Sequence, residues 1–139
     1  MREILFRGKR VDNGKWVYGY YFKATHHWHD NGIHEDWIAT DSIQNGGWCN
    51  VRGKYAVIPE TVGQYTGLTE NGKKIFEGDI LNGLLRLHPD RRIFQVIYED
   101  NGFYFLDEDG VGWHPDHIAD YEVIGNIHDN PELLKGDAK

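Results

Sequence analysis

Apolar and polar positions alternate with a period of two along several short segments, and turn-forming residues separate these segments. In the first case, residues 12–14 (Asp-Asn-Gly) lie between Arg10-Val11 and an aromatic run that extends from Lys15 to Phe22. An Asn-Gly pair between β-forming residues favours a tight turn with positive φ, so the pattern predicts a β-hairpin. Ile4 and Phe6 share one face of a preceding strand, which indicates an N-terminal antiparallel meander.

In the second half of the chain, turn-forming residues again separate short segments rich in β-forming residues. Residues 94–98 (FQVIY) and 103–106 (FYFL) flank residues 99–102 (EDNG), which predicts another hairpin. Residues 107–110 (DEDG) predict a further turn, and residues 121–127 (YEVIGNI) predict a closing strand. Short strands joined by tight turns are typical of a small, strongly bent barrel.

The C-terminal segment carries the best helix signal of the chain. Asn130 is placed as an N-cap, Pro131 at the first helical position, and Glu132 where the helix dipole favours an acid. Leu133 and Leu134 provide apolar surface, and Gly136 ends the pattern. We predict a short helical turn that needs packing to hold it in place.

The composition fits a folded, β-rich protein. The chain has 139 residues, of which 40% are hydrophobic, with five Trp, eight Tyr, six Phe and 17 Gly. A disordered chain lacks the apolar area needed to offset conformational entropy, so we expect this one to fold. Cys49 is the single cysteine, which excludes an intramolecular disulfide and fits a reducing compartment. With no apolar run of membrane-spanning length and no signal-peptide pattern, we expect a cytoplasmic protein that does not contact a membrane.

The charge balance argues against nucleic acid as a partner without excluding it. Fifteen Lys and Arg stand against 22 Asp and Glu, a formal net charge of −7. Non-specific nucleic-acid binding needs a basic footprint that releases counterions. Arg86, Arg91 and Arg92 form the only dense basic cluster, and we interpret them as ordinary surface charges of a hairpin.

Two groups of histidines invite a metal interpretation. His27 and His29 share a face if their segment is extended, with His34 and Glu35 across a turn, an arrangement suited to Zn²⁺. The spacing matches no defined zinc motif, so these three histidines are only weak metal candidates. His114 and His117 form another pair, for which a Pro-initiated turn with solvent-facing imidazoles is the better interpretation.

Signatures of catalysis and cofactor binding are missing from the sequence. Residues 107–110 do not make a Ca²⁺ loop, because Val111 stands where an oxygen ligand is needed. The chain has no phosphate-binding glycine loop, no nucleophile elbow and no paired zinc-ligand cysteines. We therefore assign no catalytic residue and no cofactor, and expect the protein not to be an enzyme.

An aromatic row offers the best candidate for binding. Trp16, Tyr18 and Tyr20 share one face of the strand after the Asn-Gly turn, with Val17 and Gly19 on the other face. A small β-protein needs such residues for its core, and this is the interpretation that we favour. If they are only half buried, they form an interaction surface for a protein or for single-stranded nucleic acid.

Three separated stretches resemble one protein family. They are residues 1–7 with 14–19 (GKWVYG), residues 60–68 (ETVGQYTGL) leading through Asn71-Gly72 to 77–80 (EGDI), and residues 123–127 (VIGNI) with 130–134 (NPELL). In order and spacing they are similar to the YopX-like family of phage and prophage proteins. Residues 25–53 carry little of the resemblance. The central signature consists mostly of turn-forming residues and strand entries, so we interpret it as architecture rather than as an acid/base site of Glu77 and Asp79.

The resemblance implies a β-rich module that includes an SH3-like barrel and has no known catalytic residues. We therefore predict a mainly β protein, a single YopX-like unit over residues 1–139. Within it, residues 1–58 form a meander with a variable loop region at 25–53, and residues 59–139 form an SH3-like barrel and the C-terminal helical turn. The expected function is that of a phage or prophage accessory protein that binds an unidentified protein or self-associates. A nucleic-acid-binding barrel is the alternative, and a metal-dependent enzyme is the third hypothesis.

Overall fold

The computed structural model describes residues 4–23, 36–40, 53–87 and 90–135. The described chain is mainly β-structure in antiparallel sheets, as the sequence predicts. It divides into two compact units, residues 1–65 and residues 66–139, and each has its own hydrophobic core. Within the described residues, no helix is long and apolar enough to cross a membrane.

The first unit is an antiparallel sheet whose first four strands pair in chain order, which confirms the predicted meander. The start of a fifth strand pairs with the first strand on its other side. A 3₁₀ helix at Pro59–Thr61 precedes that fifth strand, which continues into the second unit. The strands are β1 (Phe6–Lys9), β2 (Trp16–Lys23), β3 (Asp36–Ala39), β4 (Lys54–Ala56) and β5 (Gly63–Glu70).

The β1–β2 hairpin closes at the predicted Asn-Gly turn. Arg10 N donates to Lys15 O at 2.9 Å, and the Asn13 side-chain oxygen accepts from Lys15 N at the same distance. The turn fixes the register of the two strands, which sets Arg7 opposite Tyr18. The sequence therefore determines which side chains of β1 and β2 share a face.

The core of the first unit lies on one face of this sheet. Val17, Ile38 and Val57 are buried there, with Phe6 and Tyr21 packed against them. Gly19 belongs to the same face, and a Cβ added to it would lie 2.1 Å from the carbonyl oxygen of Ala39. The absence of a side chain at this position therefore lets β3 approach β2 closely.

The second unit contains the end of β5 and six further strands. Five of these form a sheet in the order β10-β9-β8-β7-β11, and β5 and β6 form a hairpin. 3₁₀ helices at Pro115–His117 and Pro131–Lys135 precede and follow β11. The strands are β6 (Lys73–Phe76), β7 (Asp79–Leu85), β8 (Arg91–Glu99), β9 (Gly102–Leu106), β10 (Gly112–Trp113) and β11 (Ile118–Asn126).

The core of the second unit centres on the aromatic pair Phe94 and Phe105, whose ring centres are 6.2 Å apart. Both side chains are fully buried, and Tyr121 packs edge-on against Phe105 at 5.2 Å. Several aliphatic residues complete the cluster, namely Ile75, Leu81, Leu85, Val96 and Ile118. The predicted 99–102 hairpin forms between β8 and β9, with positive φ at Asp100 and Asn101.

Two predicted details, the closed barrel and the C-terminal helical turn, differ in the structure. Among the described residues, β10 and β11 lie at opposite edges of the five-stranded sheet and do not pair with each other, so the barrel is not closed. β10 has only two residues, and β11 is interrupted by two register shifts. After β11, Pro131–Lys135 is a 3₁₀ helix, and Asn130 N donates to Asn126 O at 2.8 Å before it.

Candidate interaction surface

The two faces of β2 have opposite environments. Val17 and Gly19 are buried, whereas Tyr18 is 47% exposed and Tyr20 is 46% exposed. Trp16 lies on the same face as the two tyrosines and is half-buried. The expectation that this aromatic row forms the core is wrong for Tyr18 and Tyr20. The core forms on the opposite face, where glycines allow the neighbouring strands to pack closely.

Two basic residues of β1 share the face of the aromatic row. Arg7 is opposite Tyr18 and Lys9 is opposite Trp16 in the β1–β2 register. The guanidinium carbon of Arg7 lies 4.6 Å from the Trp16 ring centre, and Lys9 Nζ lies 5.5 Å from it. A cation over an indole face is attracted by the ring quadrupole, so these contacts orient Trp16 and keep the positive charges on this side of the sheet.

The neighbouring strands extend the same chemistry. The register places Trp37 of β3 beside Phe22, and Lys54 of β4 beside Ala39, which pairs with Tyr20. On the described strands of the first unit, this face has aromatic and basic side chains and no Asp or Glu. We define the aromatic face by its exposed and basic residues, which are Arg7, Lys9, Trp16, Tyr18 and Tyr20.

Two described acidic side chains of the first unit, Asp36 and Asp12, have partners away from the aromatic face. Asp36 is buried on the core face, where its carboxylate accepts a hydrogen bond from the Tyr21 hydroxyl. Burial, together with this bond, raises the pKa of Tyr21 to about 12. Asp12, in the β1–β2 turn, forms an ion pair with Arg10 at 2.7 Å. These two carboxylates are therefore accounted for by Tyr21 and Arg10.

The central signature serves as architecture, as the sequence predicts. The buried carboxylate of Asp79 accepts from Phe76 N at 2.8 Å and closes the turn between β6 and β7. Gly78, at φ 94°, donates its N–H to Val96 O and accepts from Ile127 N, both at 2.9 Å. Only glycine adopts such a φ without strain. Asn71 and Gly72 also have positive φ, as a tight β5–β6 turn requires.

The metal candidates receive no support from geometry. His27, His29 and His34 lie outside the described residues. Within residues 4–23, 36–40, 53–87 and 90–135, no three His, Cys, Asp or Glu side chains are grouped to hold a metal ion. His114 and His117 are both exposed and flank a Pro-initiated 3₁₀ turn, in which His114 Nδ1 accepts from Asp116 N at 3.2 Å.

The carboxylate of Asp107 accepts four hydrogen bonds, and this role was not evident from the sequence. One oxygen accepts from Asp109 N and Val111 N, and the other from Trp113 Nε1 and Arg92 Nη1, at 2.9 to 3.1 Å. Burial raises its pKa, but these hydrogen bonds and the Arg92 charge outweigh that effect and hold the pKa below its ordinary value. The predicted 107–110 turn is confirmed, and its buried carboxylate is structural.

The basic cluster of the second unit is held by its own neighbours. Arg91 forms an ion pair with Asp120, Arg92 contacts Asp107 and Asp90, and Arg86 Nε donates to Asp116 O at 2.9 Å. These contacts agree with the interpretation of ordinary hairpin charges. The three arginines therefore have partners within the second unit, and the cluster does not identify a nucleic-acid-binding groove.

A comparison with known protein families places the chain in one of them. The model of the YopX protein family matches residues 5–135. The chain belongs to the YopX family. In this YopX-family chain, the residues of the central signature described above make turns and strand connections. The aromatic face lies outside the central signature, on β1 and β2. No curated protein and no solved structure matches the chain.

Proposed function

We propose that this YopX-family protein is a non-enzymatic binding protein, and that a protein partner docks on the aromatic face. The observation that carries the proposal is the exposure of Tyr18 and Tyr20, at 47% and 46%. The core of the first unit lies on the opposite face of β2 and does not need these two side chains. Tyrosine combines a large apolar body with a polar hydroxyl and is enriched at binding hot spots. Together with the family resemblance, this supports an accessory role in a phage or prophage.

The strand edges favour a face rather than an edge as the docking element. β4 has three residues and β10 has two, so neither offers a long ladder of backbone groups. The longer edge strand β11 carries two register shifts and a positive φ at Asp120. Short and bulged edges discourage strand addition. We therefore expect self-association, like partner binding, to use the aromatic face.

We further propose that the second unit is related to SH3-like barrels. The order β10-β9-β8-β7-β11, with a 3₁₀ helix immediately before the last strand, supports this relationship. Its charge does not favour nucleic acid, because residues 66–139 have seven Lys and Arg against fifteen Asp and Glu. The first unit has eight against seven. Binding of nucleic acid by the barrel is therefore the weaker function.

Site-specific photo-crosslinking tests the proposed function. Tyr18→p-benzoylphenylalanine should give discrete crosslinked protein species in cells that express the chain, because the side chain would lie within the interface. Tyr98→p-benzoylphenylalanine is the matched control, since Tyr98 is 48% exposed on the second unit. A further Tyr20→Ala substitution should remove the species formed from position 18. Identical products from positions 18 and 98, or none from position 18, would contradict the proposal.

A further inference from the structure

We propose that a pocket of the second unit receives an arginine side chain of a protein partner. The inference concerns the second unit alone and goes beyond the proposed function, which rests on the aromatic face of the first unit. The pocket has a volume of about 160 Å³ and is lined by six described residues, namely Ile93, Gln95, Leu106, Asp107, Glu108 and Leu134.

Two strands and the C-terminal 3₁₀ helix form this pocket. Ile93 and Gln95 are two residues apart on β8, and Leu106 of β9 is opposite Gln95, so these three side chains share one face of the sheet. It is the face of β8 opposite the buried core of the second unit. The 3₁₀ helix adds Leu134 to the lining.

The part of the lining that comes from the 3₁₀ helix is held by contacts with β11. Asn130 Oδ1 accepts from Asn126 N at 3.3 Å, and Leu133 N donates to Asn130 O at 3.0 Å. A Cβ added to Gly125 would lie 2.9 Å from Leu133 Cδ1, so the helix packs directly on the backbone of β11. These contacts fix the position of Leu134, and the pocket is therefore preformed.

The volume and the aliphatic lining suit one long side chain. Pockets for drug-sized small molecules have about 300–1,000 Å³, a range well above the volume of this pocket. Ile93, Leu106 and Leu134 are half-buried and leave part of their aliphatic surface accessible. Lysine and arginine bury their methylene stems along such surface and keep the charged end in contact with water.

The polar groups of the pocket select a cation. Within the part of the chain that the structure describes, the side chains of Gln95 and Glu108 form no hydrogen bond or ion pair. Glu108 is exposed, so a ligand can reach its carboxylate. The carboxylate of Asp107, by contrast, already accepts from four donors. A cation that enters the pocket therefore pairs with Glu108.

The Gln95 amide favours an arginine within a peptide chain over a free cation. An amide has both a donor and an acceptor, which together complement the C=O and N–H of a peptide group. A guanidinium can bind the Glu108 carboxylate through two parallel hydrogen bonds, and it is more weakly hydrated than an ammonium group. Arginine therefore fits this partly buried pocket better than lysine.

Titration of the full chain with the peptide acetyl-Gly-Arg-Gly-amide tests the inference. The methyl NMR signals of Ile93, Leu106 and Leu134 should shift and reach saturation at millimolar peptide. The same peptide with citrulline, the uncharged analogue of arginine, should bind about threefold more weakly, because a pair with an exposed carboxylate is modest. Equal affinity of the two peptides, or the absence of a saturable shift, would overturn the inference.

Two substitutions locate the contacts of the arginine peptide. Glu108→Gln should lower its affinity to that of the citrulline peptide. Glu99→Gln is the matched control and should leave the affinity unchanged, since Glu99 is exposed and belongs to β8 but does not line the pocket. Gln95→Met should weaken the arginine peptide without weakening n-butylguanidinium, which has no peptide group. Unchanged affinity in Glu108→Gln, or an equal effect of Gln95→Met on both ligands, including none, would contradict the assignment.

A further variant distinguishes a partner from the chain itself as the source of the cation. Lys135→Gln/Lys139→Gln removes the two lysines that follow Leu134 in the sequence. We expect this variant to bind the arginine peptide as the wild type does. Tighter binding would show that a lysine of the same chain competes for the pocket, and it would overturn the assignment to a protein partner.

Discussion

The guanidinium carbon of Arg7 lies 4.6 Å from the centre of the Trp16 ring, and Arg7 is 94% buried although it belongs to a strand of only four residues. The arginine and the indole cover each other on the face that also presents Tyr18. A planar cation packed on an aromatic ring contributes both electrostatic attraction and apolar contact of its methylene groups. We therefore infer that this pair stabilises the part of the sheet that carries Tyr18 and Tyr20.

The first prediction concerns this pair. Arg7→Met keeps an unbranched apolar stem and removes the cation, and we expect it to lower the free energy of unfolding by about 1–2 kcal/mol. Lys9→Met, whose cation is 5.5 Å from the same ring, should cost less. Urea unfolding monitored by tryptophan fluorescence measures both. Equal stability of Arg7→Met and the wild type would show that the stacking contributes nothing.

Gly19 gives the second prediction, about strand spacing. A methyl group at this position would lie 2.1 Å from the carbonyl oxygen of Ala39, and a backbone atom cannot move aside as a flexible side chain can. We expect Gly19→Ala to separate β2 from β3 and to cost more than about 3 kcal/mol. Gly112→Ala is the control, because its added methyl group meets only Tyr104 Cβ at 3.9 Å. Circular dichroism during thermal unfolding distinguishes them, and equal melting temperatures would refute the steric argument.

The third prediction is a loss of stability at high pH. The raised pKa of Tyr21 means that its neutral form is favoured in the folded state by burial and by the bond to Asp36. This stabilisation is complete below the unfolded pKa of about 10 and is lost as pH rises towards about 12. Tyr21→Phe should be less stable at neutral pH but should lose less stability between these values. Parallel pH profiles of the two proteins in urea unfolding would contradict the prediction.

The fourth prediction concerns Asp107 and acid. Its lowered pKa means that the carboxylate stabilises the fold at neutral pH and that this contribution disappears as pH falls below about 4. Asp107→Asn should cost about 2–3 kcal/mol at pH 7, because its amide would face the N–H groups of Trp113 and Arg92. Asp109→Asn is the control, since its side chain is 78% exposed. Hydrogen exchange of the β9 and β10 amides reports the effect, and equal exchange in both variants would count against it.

Much of the architecture follows from local sequence. The Asn-Gly turn before Trp16 and the residues 99–102 turn predict their hairpins, because positive φ at such positions is a local property. The alternation along β2 also predicts which residues share a face. It does not predict which face is buried, since both faces are rich in apolar groups. That choice depends on Gly19 and on the approach of β3, which is a tertiary effect.

Long-range partners account for what sequence reasoning missed. The turn at Asp107 is recognisable from its composition, but Arg92 lies fifteen residues away and reaches the carboxylate only because β8 pairs with β9. Arg7 and Lys9 were recognisable in principle, because the hairpin register sets them opposite Tyr18 and Trp16. The signal was the position of the turn, which fixes the cross-strand pairs.

The peptide group of Gly78 also constrains how the chain acquires its structure during synthesis. Its carbonyl accepts a hydrogen bond from Ile127 N, which is 49 positions later (127 − 78), and β7 pairs along one side with β11. Neither interaction can form until β11 and Ile127 have been synthesised. The strand pairs of the first unit, β1–β2, β2–β3, β3–β4 and β1–β5, all join residues that are made before β11. We expect a ribosome-bound chain to form its aromatic face early, while β7 still exposes an unpaired edge. In a cell, the binding surface is thus expected to be available before the remainder of the molecule is protected from aggregation.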